Sequence, residues 1–174
     1  MKNYLLFLTL LISQLEMSEH QYELLLGKDI SSITIDNSEF IANKSNYYSI
    51  PFIDNPKAYH NNYIYFISFC TNDEKKITEV SIKLKTLVDK ELYTTLTSIY
   101  GQPTMILVPD KILYDKTIES EKVKATVRKT KSKAKQGAFE DNPTFIIWEK
   151  KGFKIEVLMK YEQNISEISF RKVA

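Results

Sequence analysis

Alternation of apolar and polar positions is clearest at the end of the chain. Two polar breaks, around Gly152 and around Asn164, divide this region into three apolar-rich segments. In the middle segment Phe153, Ile155 and Val157 alternate with charged residues, which is the pattern of a strand with one buried face. The sequence therefore predicts a C-terminal three-stranded antiparallel meander.

A second β region is predicted near the middle of the chain. The apolar run YIYFISFC begins at Tyr63, and the polar turn NDEKK separates it from a segment that ends at Lys85. In that second segment Val80, Ile82 and Leu84 share one face of a strand, with polar residues on the other face. We expect an antiparallel hairpin between Tyr63 and Lys85.

One main helix is predicted in the stretch TLVDKELYTTLTSIYGQP. Its apolar stripe has helical spacing and consists of Val88, Leu92, Leu96 and Ile99. Asp89 lies in the first turn, where negative charge is favoured, and Gly101 with Pro103 ends the helix. Together these patterns predict an α+β fold, in which an antiparallel sheet of five or more strands has one main helix packed on one face.

The N-terminus has the order of a secretory signal peptide. Lys2 precedes an apolar block from Tyr4 to Ile12, and the chain then becomes polar. The block is too short for a spanning helix, which needs about 20 apolar residues. We expect a signal peptide over residues 1–18 and a single domain over residues 19–174, exported in soluble form to the periplasm or outside the cell. The alternative is a cytoplasmic protein in which this block belongs to the fold.

Two shorter stretches complete the secondary-structure prediction. The pattern that follows the N-terminal block predicts a short helix ending near Gly27, then a strand with Ile33 and Ile35 on one face. The stretch IDNPKAYHNN, residues 53–62, is rich in Asn and contains Pro, which indicates a loop.

The formal charge of +2 conceals one strongly basic segment. Residues 122–135 hold seven of the 24 basic residues and none of the 22 acids. These cations are Lys122, Lys124, Arg128, Lys129, Lys131, Lys133 and Lys135. Because the rest of the chain is mildly acidic, a general attraction to anions has to come from this segment, and no specific nucleic-acid binding is predicted.

Two interpretations of this basic segment are open. Its lysines alternate with small residues that offer too little apolar area for a central strand. A functional interpretation is a finger that binds an anionic polymer or lipid, with an affinity that falls as salt is added. The alternative is a solvated connection or an edge hairpin whose lysines discourage edge-to-edge aggregation.

A second candidate surface is the stretch SNYYSIPFIDNPKAYHNNYIYF, which is rich in tyrosine and asparagine. Its candidate binding residues are Tyr47, Tyr48, Tyr59, His60 and Tyr63. Tyrosine with asparagine and serine is typical of protein-recognition surfaces, because the rings supply contact area at low entropic cost. The alternative is that the tyrosines pack on strands, as their β propensity alone would produce.

No combination of residues predicts catalysis, a cofactor or a metal site. The four glycines each fit a turn or a helix end, and they form no phosphate-binding or dinucleotide fingerprint. The two histidines, His20 and His60, are 40 residues apart. Cys70 is the single cysteine, so it forms no intramolecular disulfide, and we expect a buried, unreactive thiol.

These observations favour a non-catalytic exported binding protein, envelope-associated or inhibitor-like, that contacts another protein through the Tyr/Asn-rich stretch. A second hypothesis is a module that binds anionic polymer or lipid through residues 122–135. A third hypothesis is a hydrolase that uses His60 with an acid. Nothing in the pattern indicates an oligomeric state.

Overall fold

The computed structural model describes residues 21–33, 41–44, 46–52, 57–120 and 125–173, and for residues 41–44, 112–120 and 125–132 it describes the backbone alone. The described strands are β1 (Ile41–Lys44), β2 (Tyr47–Pro51), β3 (Ala58–Tyr59), β4 (Asn62–Thr71), β5 (Ile77–Leu84), β6 (Met105–Ser120), β7 (Ala125–Gln136), β8 (Phe145–Lys150), β9 (Phe153–Lys160) and β10 (Ile165–Lys172). Helix α1 spans Lys90–Tyr100, between β5 and β6.

All described strand pairs are antiparallel, and they form one sheet. The strand order is β1-β2-β4-β5-β10-β9-β8-β6-β7, and β3 pairs with β4 off this path. The predicted α+β class, the antiparallel sheet of five or more strands and the C-terminal meander β8-β9-β10 are confirmed. The predicted central hairpin is also confirmed, as β4 paired with β5.

Pairing of β5 with β10 joins the two halves of the sheet. Val80 is opposite Phe170 and Ile82 is opposite Ile168, and all four side chains are buried. The last strand of the chain therefore completes the sheet beside a strand about 90 residues earlier. We call the face that carries these residues the first face, and the opposite one the second face.

The buried side of α1 belongs to the same hydrophobic cluster as the first face. Leu92, Leu96 and Tyr100 are buried in that cluster, and the ring of Tyr100 lies 6.2 Å from the ring of Phe170. The side-chain Nε1 of Trp148 in β8 donates a 2.8 Å hydrogen bond to the carbonyl of Gly101, directly after the helix. These contacts join the helix to β8 and β10.

The predicted helix is confirmed, but its predicted apolar stripe is wrong at one position. Asp89 is the N-cap and accepts a hydrogen bond from the backbone N–H of Leu92, and Gly101 follows the helix at φ 76°. Ile99 is 48% exposed, whereas Tyr100 is buried. Residues 92, 96 and 100 form a stripe at steps of four, so the position that faces the core is one residue further along.

Three local predictions in the N-terminal half of the chain differ from the structure. A 3₁₀ turn, Tyr22–Leu25, replaces the short helix before Gly27, and Ile33 follows a second 3₁₀ turn instead of lying in a strand. The predicted loop at residues 53–62 contains β3 and a two-residue turn with positive φ at His60 and Asn61, as type I′ hairpins require. Ile35 and the expected signal peptide, residues 1–18, lie outside the described residues.

Candidate binding surfaces

The structure divides the predicted tyrosine surface between core and solvent. Tyr59 is fully buried, and its ring lies 5.7 Å from that of Tyr22. Tyr48 is half-buried against the core, with Lys75 Nζ 5.9 Å from its ring centroid. Tyr47 is half-buried and is paired with Cys70, which places it on the second face. Tyr63 is 59% exposed. The five predicted residues therefore do not form one continuous surface.

Tyr59 lies beside a buried polar group inside the molecule. Its hydroxyl group interacts with that of Tyr100, which in turn donates a 2.9 Å hydrogen bond to Glu23 Oε2. Burial raises the pKa of both tyrosine hydroxyls far above the ordinary value, and the nearby Glu23 carboxylate raises it further. A protein partner cannot reach the Tyr59 ring in this arrangement.

His60 has the contacts of a turn residue. Its backbone φ is 45°, its ring packs at 4.5 Å edge-on to the ring of Tyr59, and its carbonyl accepts a 2.9 Å hydrogen bond from Asn62 Nδ2. The side chain is therefore held beside the β3-β4 turn.

Most of the predicted basic segment lies in a long two-stranded ribbon. Strand β6 pairs with β8 over Met105, Ile106 and Leu107, and it pairs with β7 from Leu107 to Ser120. Within the described chain, residues 108–120 and 125–135 thus pair only with each other; we call this ribbon the arm. The prediction that the basic segment is no central strand is confirmed, since β7 lies at the end of the strand order.

Most cations of the arm lie on one of its two strands. Arg128, Lys129, Lys131, Lys133 and Lys135 all lie in β7, whereas Lys122 and Lys124 lie outside the described residues. Lys133 and Lys135 are exposed, and Lys135 Nζ is 3.8 Å from Asp110 Oδ1. By register Lys129 is opposite Lys116 and Lys131 is opposite Tyr114, so these positions share one face of the ribbon.

Charge is divided unevenly between residues 108–136, the stretch that contains the arm, and the rest of the chain. Residues 108–136 contain nine basic and four acidic residues, a net charge of +5. The remaining residues contain 15 basic and 18 acidic ones, a net charge of −3. The arm is therefore a cationic extension of an anionic body, and its field decreases with salt.

A row of serines crosses the second face of the sheet. The register places Ser49 of β2 opposite Ser68 of β4, Ser68 opposite Ser81 of β5, and Ser81 opposite Ser169 of β10. The hydroxyl oxygens of Ser81 and Ser169 are 2.7 Å apart. Three of these serines are buried although they lie on the face that points away from the core: Ser68, Ser81 and Ser169. They are buried because longer side chains stand on either side of the row.

Two rows of longer side chains flank the serines. One contains Cys70, Glu79, Arg171 and Lys154, and the other contains Phe66, Lys83, Glu167 and Leu158. Arg171 binds both oxygens of Glu79, at 3.0 and 3.2 Å, and this contact raises the pKa of the guanidinium group. Glu156 lies 3.3 Å from Arg171 and 2.9 Å from Lys154. The polar groups of this face thus form a connected network.

Cys70 lies at the edge of this network. It is half-buried, and burial raises the pKa of its thiol, with the Glu79 carboxylate adding to the effect. A raised pKa disfavours the thiolate, the reactive form. The expectation of a fully buried residue is wrong in degree, whereas the expected low reactivity agrees with the direction of the pKa.

Sequence alternation alone could not locate the serine row. The residues Glu79, Ser81 and Lys83 do mark the polar side of β5. The alignment of Ser81 with Ser49, Ser68 and Ser169 depends on the pairing of four strands, which local patterns do not encode.

Comparisons with known proteins add no functional assignment: no family model, no curated protein and no solved structure matches the chain. Among the helices that the structure describes, none has the length and apolar character needed to cross a membrane. Within the same residues, no three or more His, Cys, Asp or Glu side chains are grouped as ligands for a metal ion.

Proposed function

We propose that this protein is a non-catalytic, exported binding protein whose arm binds a linear polyanion, a polymer with repeating sulfate or phosphate groups. The observation that carries the proposal is the placement of five cations and no acid on β7, in a ribbon that extends beyond the sheet. Export rests on the signal-like sequence of residues 1–18, with a cytoplasmic location as the alternative.

A linear ligand fits the spacing of the lysines. Lys129, Lys131, Lys133 and Lys135 occupy alternate positions of one strand. Alternate residues of an antiparallel strand are about 6.8 Å apart, so the row extends over about 20 Å. A polymer that lies along the strand meets these cations in succession, and each contact releases counterions.

The distribution of apolar positions favours a polymer over an anionic membrane. By register Ile118 is opposite Val127, on the same face of the ribbon as Lys116 and Lys129. Insertion into lipid needs an apolar face separate from the cationic one. The ribbon has no such separation along these positions, so its cations are suited to a ligand that remains in water.

We propose that α1 packs on the first face of the sheet. Its last residue, Tyr100, lies against Phe170, and the carbonyl of the next residue, Gly101, accepts a hydrogen bond from Trp148. Among the residues that the structure describes, this arrangement leaves the second face and the arm available for ligands. A second candidate function, binding of a protein partner, is supported by the exposure of Tyr63 (59%) and Tyr65 (45%) on β4.

The arm is tested with labelled heparin and polyphosphate, with affinity measured by fluorescence anisotropy at several salt concentrations. The variant K129Q/K131Q/K133Q/K135Q removes the row of charges. We expect it to bind at least about tenfold more weakly at low salt, and to show a shallower dependence on salt, because fewer counterions are released.

Four exposed lysines outside the arm supply the matched control, in the variant K85Q/K90Q/K151Q/K172Q. It makes the same change in net charge, and we expect affinity to change less than about threefold. Equal losses in the two variants would contradict a site on the arm.

Binding to vesicles that contain phosphatidylglycerol, without binding to either polymer, would assign the arm to lipid. If Tyr63→Ala alone abolished capture of a protein ligand, the second candidate function would replace the first.

A further inference from the structure

The two central strands of the second face carry opposite charges at matching positions. In one flanking row Glu79 of β5 is opposite Arg171 of β10, and in the other row Lys83 of β5 is opposite Glu167 of β10. Between them Ser81 is opposite Ser169. Exchanging β5 with β10 therefore reverses the sign of every charge and keeps the hydroxyl groups in place.

A twofold axis makes this exchange between two copies of the chain. We infer that the second face binds the second face of another copy, about an axis that runs along the strands between β5 and β10. Arg171 then faces Glu79 of the second copy, and Lys83 faces Glu167 of the second copy. Each of these two contacts occurs twice in the dimer, once on each side of the axis, as an isologous interface requires.

The same axis also matches the neighbouring strands. It exchanges β4 with β9, so Phe66 faces Leu158 and Ser68 faces Glu156 of the second copy. An apolar side chain thus meets an apolar one, and a hydroxyl group meets a carboxylate. Stacked sheets cross at about 30°, so the match is closest near the axis and loosens toward the sheet edges.

An axis along the strands avoids a repulsive contact that an axis along the serine row would create. An axis along the serine row would place Glu156 against Glu156 of the second copy, because this residue continues the row in β9. Like charges that are forced together are costly when water is excluded. With the axis along the strands, Glu156 keeps its contacts with Arg171 and Lys154 and faces a serine.

The size and relief of the face suit such a contact. From β2 to β6 the face comprises seven strands, or about 29 Å at the usual strand spacing, and β9 is about 25 Å long. The flat area is about 700 Å², comparable with the roughly 800 Å² per partner of a standard protein interface. The serine row lies lower than the two flanking rows, so the charged side chains of those rows are the ones that meet across the interface.

Charge reversal tests the inference on the full-length protein, with sedimentation velocity over a range of concentrations. Wild type is expected to dimerise. The variants Lys83→Glu and Glu167→Lys each place like charges together twice per dimer, so each is expected to raise the dimer dissociation constant at least about tenfold. The double variant K83E/E167K restores opposite charges at both positions and is expected to dimerise like wild type.

Two controls keep the result specific. Glu74→Lys reverses an exposed acid in the β4-β5 turn, and it is expected to leave dimerisation unchanged. Fluorescence of Trp148, the only tryptophan and fully buried, reports whether each variant is folded. A wild-type monomer at every concentration would overturn the inference, as would a dimer that tolerates both single reversals. Neither result bears on polyanion binding by the arm.

Discussion

At the scale of single residues, the most consequential feature is a polar group inside an apolar core. Tyr59 and Tyr100 are buried, and the hydroxyl of Tyr100 donates a hydrogen bond to Glu23. A buried hydroxyl group is tolerated because it has hydrogen-bonding neighbours, and it becomes unfavourable when one neighbour is removed. Tyr59 thus contributes to stability, whereas Tyr63, four residues later, is 59% exposed.

The raised pKa values predict a loss of stability at high pH. The folded protein keeps both tyrosines protonated above pH 10, where tyrosines of the unfolded chain ionise. The unfolded state then binds fewer protons than the folded state, so the free energy of unfolding falls as pH rises. Each tyrosine contributes at most about 1.4 kcal/mol per pH unit.

This prediction is measured by urea unfolding, followed by Trp148 fluorescence between pH 8 and pH 11. Tyr100→Phe is expected to be less stable than wild type near neutrality, and to lose less additional stability above pH 10. Tyr63→Phe, which removes an exposed hydroxyl, is the control and is expected to follow wild type. Parallel curves for all three proteins would contradict the role of the buried hydroxyls.

At the scale of secondary-structure elements, α1 shows how far helical periodicity determines burial. The sequence pattern placed Leu92, Leu96 and Ile99 on one stripe, and the structure confirms the first two. Either residue 99 or residue 100 satisfies helical spacing after Leu96. The choice of Tyr100 depends on tertiary partners, since its ring contacts Phe153 and Phe170 and its hydroxyl reaches Glu23.

Truncation of the two side chains distinguishes the positions. Leu96→Ala removes a fully buried side chain and is expected to lower the free energy of unfolding by about 2–5 kcal/mol. Ile99→Ala removes a side chain that is 48% exposed and is expected to cost less than about 1 kcal/mol. Chemical denaturation of both variants checks the difference. A larger loss for Ile99→Ala would reverse the assignment of the buried side of α1.

The sequence predicted the turns of the meander, but it predicted only part of the arm. Gly152 and Asn164 adopt positive φ, which is why these two residues mark the ends of strands. In the arm, the alternating lysines excluded a central strand, and the structure agrees. The length of its partner β6 was not predicted, because its run of 16 residues carries no regular apolar alternation.

At the scale of the whole molecule, the proposed dimer places its two arms at the same end. Beyond Leu107, the arm continues past the end of the sheet at which Lys83 and Glu167 lie. A twofold axis along the strands keeps both arms of the dimer at that same end. Counting strand spacings from the axis to β7 places the arms about 40 Å apart.

Two arms at one end predict avidity for long polyanions. A chain longer than about 40 Å can engage both arms, so it is expected to bind at least about tenfold more tightly than a short chain of equal charge density. The ratio is measured with size-fractionated heparin, for wild type and for Glu167→Lys. The charge-reversed variant is expected to lose most of this preference while it keeps its affinity for short chains. An equal preference in both proteins would contradict the shared geometry.

The sequence by itself determined the local elements and the separation of charge. Alternation identified the central hairpin and the meander, helical spacing with Asp89 and Gly101 bounded α1, and the cation count isolated the basic segment. These features are readable because each depends on residues within a few positions of one another.

Only the tertiary structure decided which faces were formed. The pairing of β5 with β10, about 90 residues apart, aligned Ser81 with Ser169 and set Glu79 beside Arg171. Burial of Tyr59 depended in the same way on Tyr22 and Tyr100, which are distant along the chain. Strand order and register depend on how all the apolar faces pack together into one core. Local periodicity shows which residues of a strand are buried, but it does not specify which strand lies beside which.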